Sequence, residues 1–148
     1  MYRREKEIIV SLISMTLILV LYSLYVYNKY IAVNPDVIND FRFWGKAFLI
    51  LIPVTIVTII IIYIIFFIIN KIVTDEDLPE VTDERDKLIE LKGIRISHWV
   101  FVFGFMLAMA SQAFGMKPWV LFVVLFGSGF ASALAEGIAK ICYYRKGY

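Results

Sequence analysis

The chain has 148 residues, 61% hydrophobic and 19% charged, with a formal net charge of +2 and a mean hydropathy of +0.78. A soluble domain carries about a quarter charged residues, so the apolar excess here is more than a small core can bury. The small net charge speaks against nucleic acid as a partner, and the one cysteine, Cys142, excludes an intramolecular disulfide and a cysteine-based metal site.

Four apolar runs follow one another along the chain. The first, Ile8 to Tyr27, and the second, Ala47 to Ile69, carry no charge. The third runs from Trp99 to Gly115, and the fourth from Trp119 to about Ile141 with one acid, Glu136, inside it. A hydrocarbon core of about 30 Å needs about 20 helical residues. In lipid, backbone amides must be paired within the segment, so even the Ile-rich second run is read as helix. The expected fold is all-α: a polytopic membrane protein in one domain, with helices over about 8–27, 47–69, 97–115 and 118–141. The first run is expected to remain as a helix, because it is long for a signal peptide and no A-x-A-like site follows it.

Orientation follows from the placement of Lys and Arg. Four crossings put both termini on one side, together with the segment of about 70–96. That side holds Arg3, Arg4, Lys6, Lys71, Arg85, Lys87, Lys92, Arg95, Lys140, Arg145 and Lys146; the other holds Lys29, Arg42, Lys46 and Lys117. The larger group marks the cytoplasm, so the protein is expected in the cell membrane with both ends inside. Tyr25, Tyr27, Tyr30, Phe43, Trp44, Trp99, Trp119, Tyr143 and Tyr144 stand at the expected boundaries as aromatic anchors. Asn34-Pro35-Asp36 marks a turn in the outer loop. Gly115-Met116-Lys117-Pro118 is so short that the third and fourth helices must pair, which gives two antiparallel hairpins. Cys142 reads as an interfacial residue, with acylation as the alternative.

The fourth helix is patterned for packing. Gly127, Ala131, Ala135 and Ala139 recur every four residues, and Gly129, Ala133 and Gly137 make a second small row. Ser128, Ser132, Glu136 and Lys140 lie between them; Phe122, Phe126, Phe130, Leu134 and Ile138 form a bulky row facing lipid or a groove. Small residues let helix backbones approach closely. Gly104, Ala108 and Ser111 repeat the pattern more weakly in the third helix, which is expected to pack on the fourth. Two small rows exceed the needs of one neighbour. This leaves two readings: self-association disrupted by bulk at Gly129 or Ala133, or packing within one bundle. Gln112 is expected to bond between helices.

Glu136 is the one acid inside a membrane run, and such groups are costly in lipid. It precedes Lys140 by four residues, the favourable order for a helical pair. Alternatively, Glu136 meets His98 or Arg95 at the start of the third helix, an inner-face cluster with scope for proton-linked behaviour. Asp75, Glu76 and Asp77 match no EF-hand spacing and read as a solvated linker rather than a cation site. Leu78-Pro79 interrupts the acidic stretch; Thr82 or Asp83 caps a following helix, and Asp83 pairs with Lys87. That helix either rests on the inner surface or runs on into the third, with Gly93 offering a bend.

Asp83-Glu84-Arg85, then Ile89 and Lys92, with Ser97 opening the next membrane helix, resembles a loop signature of small multi-pass membrane proteins of bacteria and archaea without an assigned function. There the pattern reads roughly D-E-R-x-x-x-I-x-x-K-A before the third helix. This chain has Gly93 in place of the alanine and His98 where an aromatic is common. The resemblance implies a four-helix layout and an accessory or regulatory role, in some cases beside a helix-turn-helix regulator.

The sequence has one His, one Cys, no G-x-S-x-G, no H-E-x-x-H and no phosphate loop. The expectation is a non-enzymatic protein without cofactor or metal, seated in the bilayer. It is expected to self-associate through helix four and to dock or regulate a cytoplasmic partner through the charged segment; the other reading of that segment is a structural clamp, with Asp83, Glu84 and Arg85 tied to helix ends by charge-assisted hydrogen bonds. The alternative is a small ion- or proton-linked transporter or channel, including a pore-forming effector, using helix four and Glu136.

Overall fold

The structure is a computed structural model and describes residues 3–74 and 84–146. The acids at 75–77, Leu78-Pro79, Thr82 and Asp83 with its pairing to Lys87 lie outside the described residues. Four long helices make up the fold: α1 (Arg3–Val26), α2 (Phe41–Thr74), α3 (Glu84–Ala113) and α4 (Pro118–Lys146). Each is long and apolar enough to cross a membrane.

Every helix is longer than its apolar run. The 34 residues of α2 span about 51 Å at 1.5 Å per residue, well beyond a hydrocarbon core of about 30 Å. The largest departure is at the start of α3. Of the two readings for the helix within the segment of about 70–96, the structure has it running on: residues 84–96 are helical and continuous with the third apolar run. Hydropathy marks where the apolar side chains stop. It does not mark where helix stops when a neighbour continues to offer a packing face. Gly93 is therefore no bend: the helix passes through it unbroken, and its missing side chain makes room for α4.

The connections are capped by local chemistry. α1 ends in a π turn over Tyr27–Ile31, closed by the Ala32 N–H donating to the Tyr27 carbonyl at 2.8 Å. A 3-10 turn follows over Pro35–Asn39, and the Asn34 side chain accepts from the Asp36 N–H at 3.2 Å. Between α3 and α4, the Met116 N–H donates to the Ser111 carbonyl and the Gly115 N–H to that of Gln112, both at 3.0 Å. This is a Schellman closure, and Gly115 at φ 71° is the left-handed residue it requires. Pro118 then opens α4, where its missing N–H costs nothing.

α4 is the hub of the bundle. Its most extensive partner is α3, and among the described residues α3 lies against no other helix. Gly104 sits on Ser128; Ala108 and Ser111 are buried beside it. Gly137 faces α1, where an added Cβ would stand 2.6 Å from Leu12 Cδ2. The second small row of α4 thus serves α1. The bulky row does not simply face lipid: Phe122 stacks on Trp44 at 5.8 Å between ring centres, and Phe126 on Phe48 at 5.1 Å. These rings join α4 to the start of α2. The Tyr22 hydroxyl donates to the Ala47 carbonyl at 2.6 Å and ties α1 to α2. Gln112 bonds within its own helix, to Ser111 Oγ at 3.2 Å.

Candidate functional site

The bundle has two unlike ends. The aromatic end gathers Tyr30, Phe43, Trp44, Phe48 and Phe122. The opposite, polar end gathers the start of α1, the start of α3 and the last turns of α4. Most of the Lys and Arg gather there beside carboxylates, while Lys29, Arg42, Lys46 and Lys117 lie at the aromatic end.

α3 is held to α4 at this end by one stripe. Arg85, Ile89 and Lys92 are spaced at i, i+4 and i+7 and so share a face. Arg85 donates to the Tyr144 carbonyl at 3.4 Å. Ile89 is 1% exposed, and full burial of such a side chain contributes about 1.5–3 kcal/mol. Lys92 Nζ lies 5.1 Å from the centre of the Tyr143 ring, within cation–π range. Asp86 accepts from the Tyr144 hydroxyl at 2.9 Å. One turn further on, a Cβ at Gly93 would stand 2.9 Å from Lys140 Cε. The resemblance pointed to an alanine at this position; glycine is what the Lys140 stem leaves room for.

Lys140 Nζ donates to Glu136 Oε1 at 2.6 Å, the helical pair expected from their spacing. The wider inner-face cluster does not assemble. Arg95 and His98 are exposed, and the His98 ring neighbours Trp99. At 100° per residue they point away from Gly93, the position that meets Glu136. Glu84, at the head of the stripe, is exposed. On α4, Gly127 and Ala131 are exposed, Ala135 is half-buried, and Ala133 and Gly137 line a cavity facing α1. A Cβ added at Gly129 would meet nothing within 4 Å.

That cavity, of about 380 Å³, lies between α1, α3 and α4, with Tyr63 of α2 at its side. Glu7, Asp86, Glu90, Glu136 and Lys140 bring its charge. Glu5, just beyond, is 4% exposed and lies 3.8 Å from Arg145. Of these groups, only Glu136 and Lys140 stood out in the sequence. Glu5 and Glu7 carried no expectation from the sequence, the one signal for them being that α1 begins in mixed charge. Among the described residues, no three His, Cys, Asp or Glu side chains are grouped to hold a metal. No family model matches this chain, and no curated protein or solved structure is found similar to it.

Proposed function

We propose that this is a non-enzymatic protein of the cell membrane that presents a docking surface to a cytoplasmic protein partner. It crosses the bilayer four times, as two antiparallel hairpins, with both termini in the cytoplasm. The observation that carries the reading is the division of labour along the first three turns of α3. One face is bound to α4 through Arg85, Ile89 and Lys92. The other leaves Leu88, Leu91 and Ile94 at 58%, 63% and 48% exposure, flanked by Lys87 and Arg95. These residues precede Trp99, the expected membrane boundary, so the reading sets the exposed leucines at the headgroup surface, open to the cytoplasm. A rigid amphipathic helix with apolar anchors at i and i+3 suits recognition in a groove.

Kinship with the proteins bearing the D-E-R-x-x-x-I-x-x-K signature belongs to the same proposal. Arg85, Ile89 and Lys92 of that pattern act as a clamp, which supports a structural meaning for the signature and leaves docking to the residues between. Self-association through α4 is part of it too, and Gly127 and Ala131 are the small residues exposed for it.

Ion or proton passage is the second reading, favoured by the place of Glu136 on the cavity wall. Against it, the Ser128 and Ser132 hydroxyls donate to carbonyls of their own helix, at 2.6 and 2.8 Å, and are buried. They offer no polar line across the bundle, which a path requires at mid-membrane depth.

A photocrosslinking residue at Leu91, in native membranes, tests the docking surface. The proposal expects a discrete adduct with a second polypeptide species, lost on Leu88→Asp. Adducts with lipid alone would overturn it.

A further inference from the structure

Three cavities lie along α1 and α4, the first bordered by α3 and the other two by α2. The first is the charged chamber of about 380 Å³. The second, of about 310 Å³, has apolar walls that include Leu51, Phe126 and Gly129. The third, of about 470 Å³, opens beside Tyr22 and Trp44 near the aromatic end. They adjoin one another: Met15 lines both the first and the second; Leu19, Phe48, Leu51 and Phe126 line both the second and the third. In order along α1 they make a segmented groove, charged in its first cavity and apolar in the other two. Its cause is the packing of α4: Gly137 draws α1 in at one level, while Gly129 one face-row above meets nothing within 4 Å.

We propose that this groove binds one phospholipid with an amine headgroup, its ammonium at Glu90 and one acyl chain along Met15 and Leu19. This inference is independent of the docking reading. The dimensions fit: Ile8 to Leu19 rises about 17 Å along α1, close to half of the ~30 Å hydrocarbon core, the depth of one leaflet. The charge fits as well. Glu7, Asp86, Glu90, Glu136 and Lys140 line the chamber, and Glu7, like Asp86, has a partner of its own. Asp86 is bonded to Tyr144 and Glu136 to Lys140. Glu90 is exposed at the chamber mouth, where an ammonium can reach it from the headgroup layer, with the phosphate toward Lys140. The apolar walls leave a purely aqueous ligand, such as a metal ion or a free amine, nothing to gain beyond the first chamber.

The test is native mass spectrometry of protein extracted from vesicles of equal phosphatidylethanolamine and phosphatidylglycerol with identical chains. The proposal expects one retained phosphatidylethanolamine per chain. Gly129→Leu adds bulk to the second chamber from a position where a Cβ meets nothing within 4 Å, and should cut retention about tenfold, the effect of one overpacked side chain on a bound chain. Thr55→Leu, on another wall of the same chamber, should do the same and stands in if the first variant fails to fold. Glu90→Lys should reverse the preference toward phosphatidylglycerol. Equal retention of both lipids by the unaltered protein would overturn the proposal, as would retention indifferent to both groove-filling variants; either shows ordinary boundary lipid.

Discussion

Gly104 of α3 lies so close over Ser128 of α4 that a methyl group at 104 would occupy the space of the serine side chain. The Ser128 hydroxyl is turned back to the Val124 carbonyl at 2.6 Å, which keeps it satisfied beneath the glycine. Overpacking a close contact costs about 1–3 kcal/mol, more where backbone must move. Gly104→Leu is therefore expected to lower stability by at least about 3 kcal/mol, read by denaturant titration in detergent. Gly127→Leu adds the same bulk at an exposed position where a Cβ meets nothing within 4 Å, and should leave monomer stability unchanged. Equal effects from the two would show that α3 and α4 do not meet there.

The clamp at the polar end makes a second, smaller prediction. Tyr144→Phe removes the hydroxyl that donates to Asp86 and should cost about 1–2 kcal/mol, as expected for a part-buried hydrogen bond to a charged group. Tyr27→Phe, at an exposed position of the opposite end, should cost almost nothing. The same denaturant titration compares the two directly, and a larger loss for the Tyr27 variant would refute the assignment.

What the sequence made legible was what depends on one helix at a time. Apolar runs located the four helices, Gly115 and Pro118 marked the closure between the last two, and the i, i+4 spacing anticipated the Glu136–Lys140 pair. The small rows of α4 announced close packing but not its recipients. Gly137 receives Leu12 of α1, a leucine unremarkable in its own run. The clamp was half legible: the signature residues were conspicuous, yet only the position of α4 shows that Arg85, Ile89 and Lys92 face inward. Arg95 and His98 looked equally placed to reach Glu136 by depth. Their azimuth on α3 takes them elsewhere, and azimuth depends on which face the partner helix uses. The aromatic stack of Phe122 and Phe126 on α2 needed the same information.

Orientation is open to direct labelling, because Cys142 is the chain's one cysteine and is exposed. Cytoplasmic termini predict that a membrane-impermeant maleimide labels Cys142 in inverted vesicles and not in sealed, right-side-out cells. In a Cys142→Ser background, Asn39→Cys, in the exposed turn before α2, should show the opposite pattern. Labelling of both sites from one side would contradict four crossings.

The central claim is that this bundle offers a surface and not a path. Ion and proton flux in proteoliposomes, with the unaltered protein beside Glu136→Gln, tests it most directly. The account predicts that both folded, fully inserted proteins leave flux at the level of empty vesicles. Flux in the unaltered protein that Glu136→Gln abolishes would contradict it and make α4 the wall of a conduit.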